Sequence, residues 1–273
     1  MFDIQKASLV KRFAAFLLDF ILILIVITGL VWGFSELFSI DVYANDYFAK
    51  YDLYETDAQR FVAELDGLDP TVIGTEAYDA LTDEEKEAYV KAFNDHYDAY
   101  TKRFNELFSA DQEAVYAQNM TYNLILITLI ASILISVLIF EFVFPLIFKN
   151  GQTIGKKVVG IAVIHQNSVK ASHIALFTRA LLGKFVVEIM IPLILIITAL
   201  LGYTGWIGLL VLGLLCILEA FVFFKGKNFT PLHDVICQTI CVDNATQMVF
   251  DSVEELTEYK KAKHAEEVRD SYY

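Results

Sequence analysis

The chain has 273 residues, of which 56% are hydrophobic, and it contains 22 Phe but only 4 Pro. This composition excludes a disordered chain and predicts an integral membrane protein. The formal net charge at pH 7 is −13, and we expect no nucleic-acid partner.

Three apolar stretches are long enough to cross a bilayer, because about 20 helical residues span its hydrocarbon layer of roughly 30 Å. They cover residues 13–38, 114–140 and 185–224. The last stretch is about twice the necessary length, so it must fold back on itself. The glycine-bracketed segment 202–205 is the expected turn, which gives four transmembrane helices. The first stretch carries a carboxylate and lacks a cleavage site, so we interpret it as a retained helix.

Residues 39–121 form an acidic insertion between the first two helices. They hold 19 acidic and 6 basic residues, so the acid excess of the whole chain lies here. Thr82 and Glu85 have capping-box spacing, and Ser109 begins a second predicted box from which a helix runs into the second span. Together with an amphipathic segment at 43–65, the insertion is predicted to form a helical cap. Its aromatic stripe is either the core of that cap or a groove or dimer seam. The stripe consists of Val90, Phe93, Tyr97, Tyr100, Phe104 and Leu107.

Basic residues predict the orientation of the chain. Residues 149–184 contain six basic residues and no acidic residue, and three further basic residues precede the first span. Both segments are therefore expected in the cytoplasm. Lys225 and Lys227 return the chain to the cytoplasm after the fourth span. The sequence predicts a multi-pass cell-membrane protein with both termini cytoplasmic and residues 39–121 extracellular.

The predicted fold is an all-α membrane protein, a four-helix transmembrane bundle with an extracellular helical insertion and a short cytoplasmic β-hairpin followed by an amphipathic helix. A short hairpin or an extended loop is expected at 152–164, and residues 158–164 could pair with 235–242 in a small sheet. We predict four regions, namely the N-terminus with the first span at 1–38, the insertion at 39–121, a membrane domain at 122–250 and a charged cytoplasmic tail at 251–273.

No motif in the sequence indicates catalysis or a bound metal. Residues 151–157 resemble a phosphate-binding loop, but the first Gly is one residue too close to the Gly-Lys pair and Lys157 replaces the hydroxyl residue. Cys237 and Cys241 lack the further ligands of a zinc site. We expect no enzyme activity, no cofactor and no metal.

Basic residues near the inner interface are expected to contact the lipid bilayer. Residues 174–187 are amphipathic, and their basic side chains can reach phosphate headgroups. Anionic headgroups are predicted at Lys156, Lys157, Arg179 and Lys184. A second copy or a protein partner is predicted at the cap formed by 39–121.

Charged residues within the apolar spans cost roughly 2.5 to 3.5 kcal/mol each near the membrane centre unless they are paired or hydrated. Asp19 is too deep for its short side chain to reach water, so it needs a partner, water or a proton. Candidate supporting charges on the same side are Glu141, Lys184, Glu188, Glu219 and His233. A network that fixes helix packing and a proton or cation site both remain possible.

Three ordered motifs resemble the RDD family of membrane proteins, namely residues 11–19 (KRFAAFLLD), 151–156 (GQTIGK) and 232–234 (LHD). The family is named for one Arg and two Asp, which by position are Arg12, Asp19 and Asp234. Arg179 resembles a further basic position. The resemblance implies a membrane module, and some members have been proposed as sodium/proton antiporters. We further expect Asp234 to pair with Arg12 and Asp19 to face the bundle interior.

Two functions follow as hypotheses. The chain transports protons or small cations, with Asp19 as the titrating carboxylate and with Arg12 and Asp234 as a cytoplasmic gate. Alternatively, it is a non-catalytic membrane scaffold or envelope partner that uses the extracellular cap. Deleting residues 43–110 discriminates between them, because a transporter core should partly survive the deletion.

Overall fold

A computed structural model describes residues 4–202, 205–225 and 230–271. Its described part contains four helices that are long and apolar enough to cross a membrane, as predicted. They are Leu9–Phe38, Gln112–Ile147, His173–Leu200 and Gly205–Phe224. The chain divides into two compact units. We call Met1–Leu30 with Ala131–Tyr273 the terminal unit, and Val31–Ile130 the acidic unit.

Helices make up the acidic unit. Its aromatic side chains pack the helix that follows the first span against a later one, and Tyr51 and Phe104 have ring centroids 5.0 Å apart. Part of the predicted stripe therefore forms a core, while Val90 and Tyr97 remain more than half exposed. His96 interrupts the stripe between two helices. The first span, α1 (Leu9–Phe38), ends in this unit. It is followed by α2 (Ile40–Leu65), a 3-10 turn (Pro70–Val72), α3 (Glu76–Asp79), α4 (Asp83–Asp95) and α5 (Tyr97–Ala110).

Side-chain caps set two helix starts in this unit. The capping box of Thr82 and Glu85 is confirmed, because each side chain accepts a hydrogen bond from the backbone N–H of the other residue. The box predicted at Ser109 is wrong, since its hydroxyl donates to a carbonyl within α5. Asp111 caps α6 (Gln112–Leu138) instead, accepting from two backbone N–H groups of the first turn.

The spans of the terminal unit contain two π-helical segments, Ile139–Val143 and Arg179–Met190. The break between the last two spans falls where the glycines predicted it, although Tyr203 and Thr204 lie outside the described residues, as does Lys227. The second span ends with α7 (Phe144–Ile147), the third begins with α9 (His173–Thr178) and ends with α10 (Ile191–Leu200), and the fourth is α11 (Gly205–Lys225).

A small antiparallel sheet joins two segments that are distant in the sequence. Strand β1 (Ile161–His165) pairs with β2 (Thr239–Asp243). The hairpin predicted within 152–164 is therefore wrong, and the alternative pairing is confirmed. Residues before β1 form the short helix α8 (Ile154–Val158) because the Thr153 hydroxyl accepts from a backbone N–H of its first turn. The remaining helices are α12 (Leu232–Ile236) and α13 (Val253–Ser271).

Candidate functional site

The terminal unit buries a cluster of ionisable side chains around Arg179, whose own side chain is only 1% exposed. Buried charges are rare unless they are paired, so their concentration here requires an explanation. The second and third spans contribute to it, together with α8 and α12. We call this set the charge cluster; its members are Glu141, Lys156, Arg179, Lys184, Glu188, His233 and Asp234.

Arg179 bridges two buried carboxylates. Its Nη1 donates to Glu141 Oε2 and its Nε donates to Asp234 Oδ1, both at 2.7 Å. The Thr239 hydroxyl donates to the same Asp234 oxygen at 2.7 Å. Burial alone raises the pKa of Asp234, but the charge of Arg179 and the hydrogen bonds from Arg179 and Thr239 hold that pKa well below its usual range. Asp234 therefore stays ionised at neutral pH.

Glu141 also receives two lysines. Lys184 binds Oε1, and the Nζ of Lys156 lies 3.5 Å from Oε2. Glu141 lies in the first π-helical segment, and Arg179 begins the second. π-Helical turns are frequent at functional sites. The spacing of hydrophobic residues in the sequence did not indicate them.

His233 is held as a neutral ring between two partners. Its Nε2 lies 3.0 Å from Arg179 Nη2, and its Nδ1 lies 2.6 Å from Glu188 Oε1. Because a guanidinium can only donate, Nε2 accepts and Nδ1 carries the hydrogen that is donated to Glu188. His233 packs directly against the third span at Gly183. This close packing requires a glycine, since a Cβ there would lie 2.6 Å from the Cβ of His233.

We expect the protein to lose stability as the pH falls below about 6.5, through His233. Burial, then Arg179, lower the pKa of His233 from its ordinary 6.5, although Asp234 and Glu188 oppose the shift. The unfolded chain then binds a proton that the folded ring does not, so stability is full above 6.5 and declines below it. Unfolding temperatures measured between about pH 8 and about pH 5.5 should show a shallower decline in His233→Gln. An unchanged slope in this variant would contradict the assignment.

Asp19 is buried, with 4% exposure, and is bound by neutral donors. Its Oδ2 accepts from the Thr153 hydroxyl at 2.5 Å, and its Oδ1 accepts from the Gly155 N–H at 2.7 Å. In the described part of the chain, none of the expected supporting charges binds it. Asp19 instead fixes α1 to the first turn of α8, so two of the sequence motifs meet directly.

The predicted pair of Arg12 with Asp234 is wrong. Arg12 Nη2 donates to the carbonyl oxygen of Cys241 at 2.9 Å, whereas Asp234 binds Arg179. The reason is that α12 packs against the helical segment that carries Arg179. Beside Arg12, Lys11 binds Asp243 at 2.6 Å. The start of α1 is therefore attached to β2.

Two further predicted residues lie elsewhere than expected. Arg179, expected at lipid headgroups, is buried among its acidic partners. Glu219 lies with Glu188 at a separate pocket of about 350 Å³, and within the described ranges it forms no ion pair with the charge cluster. Sequence reasoning missed Thr153, Gly155 and Thr239. Only Thr153 carried a signal, as a helix-capping residue type within its motif.

A cavity of about 460 Å³ lies beside the charge cluster, a volume typical of small-molecule sites. Its apolar wall includes Leu9, Phe13, Phe16 and Phe223. Its polar wall brings together the predicted Arg12, Asp19, Lys184, Glu188, Arg179, His233 and Asp234, with Lys156. Across residues 4–202, 205–225 and 230–271, no three His, Cys, Asp or Glu side chains form a group that could hold a metal ion.

Comparison with known families gives one match, since the model described as RDD family matches residues 6–238. No curated protein and no solved structure matches the chain. The matched range includes the first span, the sheet's first strand and α12, and therefore every member of the charge cluster.

Proposed function

The chain belongs to the RDD family, and from this membership we propose that it transports protons or small cations across the membrane. The observation that carries the proposal is the cavity, which is lined by two carboxylates that bind no lysine or arginine among the described residues. They are Asp19 and Glu188. Because an ionised group inside a bilayer is costly, such carboxylates are favoured sites for a proton or a cation.

The contacts divide the carboxylates into two kinds. Arg179 neutralises Glu141 and Asp234, which suits them to hold the helices together. Within the described residues, Asp19 has the Thr153 hydroxyl and the Gly155 N–H as donors, and Glu188 has the neutral ring and the backbone N–H of His233. The side chain of Glu188 is 24% exposed, more than that of the other acids in the charge cluster. A proton entering or leaving the cavity therefore meets Glu188 first.

Orientation and location belong to the same proposal. We infer that both termini lie in the cytoplasm, that the acidic unit lies outside and that the protein resides in the cell membrane. The basic residues of 149–184 support this inference. The cavity then opens toward the inner side, and the protein acts without enzymatic chemistry.

We expect purified protein in sealed liposomes to exchange protons when a sodium or potassium gradient is applied. Glu188→Gln and Asp19→Asn should each reduce the exchange by more than about tenfold, because each removes a titrating group at nearly constant side-chain size. Glu113→Gln is the matched control, since that side chain is 84% exposed and lies in the acidic unit. Absence of exchange in the wild type under both gradients would overturn the proposal.

A scaffold function is the second candidate, and the acidic unit favours it. This unit has its own aromatic core, yet Phe48 and Leu53 on α2 remain 57% and 61% exposed. Exposed apolar side chains on a charged surface are typical of protein contacts. A protein partner or a second copy would bind there. Deletion of 43–110 separates the candidates, because ion exchange should survive it and a scaffold function should not.

A further inference from the structure

We propose that the cavity beside the charge cluster is a phospholipid site, in which Lys156 and Lys184 bind the lipid phosphate and the apolar wall contacts an acyl chain. Asp19 and Glu188 line the same cavity, but the lipid site does not depend on ion transport, and its test measures lipid binding alone. The lysines recognise the phosphate of the lipid. The acyl chain distinguishes the lipid from inorganic phosphate.

The ammonium of Lys156 has unused hydrogen-bonding capacity at this cavity. Lys156 is 8% exposed, and it is one of the residues that line the cavity. Within the described residues its contact is Glu141 Oε2 at 3.5 Å, which is longer than an ordinary hydrogen bond. An ammonium carries three donors, and a buried polar group without partners is costly. A phosphate in the cavity would satisfy the remaining donors.

Two lysines share one carboxylate beside this cavity. Lys156, Arg179 and Lys184 all bind Glu141, and among the described residues Arg179 also binds a second carboxylate, Asp234. Asp19 and Glu188 line the same cavity. Burial, then the neighbouring Arg179 and Lys184, lower the pKa of Lys156, while Glu141 opposes them. A phosphate would give both lysines acceptor oxygens of their own, because it offers several oxygens to one or more lysines.

The opposite wall fits an acyl chain. Phe13 and Phe16 are 66% and 56% exposed, and both belong to a helix that spans the membrane. Phe223 of α11 adds a third ring. Inorganic phosphate would leave these rings uncovered, whereas an acyl chain buries apolar surface at about 25 cal/mol per Å². The pairing of apolar rings with lysines thus selects a phosphate-bearing lipid of the bilayer.

The test is native mass spectrometry of full-length, delipidated protein titrated with dioleoylphosphatidylglycerol. We expect one lipid per chain, at least about tenfold weaker binding in Lys156→Met, and wild-type binding in Lys157→Met. Lys157 is the adjacent residue but is exposed and lies outside the cavity. Dioleoylglycerol, which has the same chains and no phosphate, should bind at least about tenfold more weakly than the phospholipid.

Three outcomes would overturn the inference: equal binding of the two lipids, equal effects of the two lysine variants, or inorganic phosphate that binds as tightly as the phospholipid. Phe16→Ala provides an independent arm if Lys156→Met does not fold. It trims the exposed wall without touching the charge cluster and should weaken lipid binding while leaving binding of inorganic phosphate unchanged. Unchanged lipid binding in Phe16→Ala would contradict the assigned position of the chain.

Discussion

Replacing Arg179 by Gln is expected to lower the free energy of unfolding by about 3–5 kcal/mol, because it leaves buried carboxylates without their shared cation. Glu141 would keep Lys184, but Asp234 would keep mainly the Thr239 hydroxyl. The larger part of the loss therefore falls on Asp234. Equilibrium unfolding in detergent micelles, followed by circular dichroism, measures the change. Arg179→Lys should recover only part of the lost free energy, because one ammonium cannot donate to Glu141 and Asp234 with the geometry of a guanidinium.

An exposed arginine provides the control for this prediction. Arg103 pairs with Asp57 at 3.0 Å, but their side chains are 41% and 47% exposed. Water screens such a pair, so Arg103→Gln should change stability by less than about 1 kcal/mol. Adding Asp234→Asn to Arg179→Gln should restore part of the loss, since it removes the unpaired charge. Equal losses of unfolding free energy for both arginine variants would show that burial of the charge cluster does not increase the cost of removing its arginine.

The spans could be predicted because apolar length is a local property of the sequence. Nothing outside residues 13–38 is needed to recognise a helix that fits a bilayer, and α1 covers Leu9–Phe38. The same holds for the capping box at Thr82, which depends on one residue three positions later. At the start of α6 two residues could cap the helix. Sequence spacing predicted Ser109, whereas Asp111 is the residue that caps it.

The pairing within the site could not be predicted in the same way. Position along each span indicated that Arg12, Arg179 and Asp234 lie at a similar depth, and depth does not determine which arginine meets the aspartate. That choice depends on how α12 packs against the π-helical segment of the third span, a contact between distant parts of the chain. For the sheet, local β propensity indicated both strands but did not decide the partner of β1, and the observed partner lies beyond the fourth span.

Asp19 shows that predicting the burial of a residue does not determine its hydrogen-bond partners. Its burial follows from its place in an apolar helix, and the need for a partner follows from its charge. The partner, however, is a hydroxyl and a backbone N–H of the 151–156 motif rather than another charged side chain. A backbone donor has no side-chain signature, so the sequence did not indicate the Gly155 N–H as a partner of Asp19.

Replacing Gly155 by Ala is expected to destabilise the protein by about 3 kcal/mol, through overpacking combined with loss of a hydrogen bond to a charged group. A Cβ at this position would lie 2.4 Å from the carbonyl oxygen of Ala15 and 2.9 Å from Asp19 Cγ. The first of these atoms is backbone, so α1 as a whole must move away. The movement breaks the bond from the Gly155 N–H to Asp19. Thermal unfolding in micelles measures the loss.

Gly213→Ala is the control for this last prediction, because a Cβ there meets nothing within 4 Å and α11 should tolerate or gain up to about 1 kcal/mol from it. If Gly155→Ala acts by displacing Asp19, then Asp19→Ala and Gly155→Ala should not be additive, since both remove the same contact between α1 and α8. Fully additive losses would mean that the glycine and the aspartate stabilise the protein independently. Non-additive losses would show that both residues act through one contact, in which the Asp19 carboxylate of α1 is bound at the start of α8.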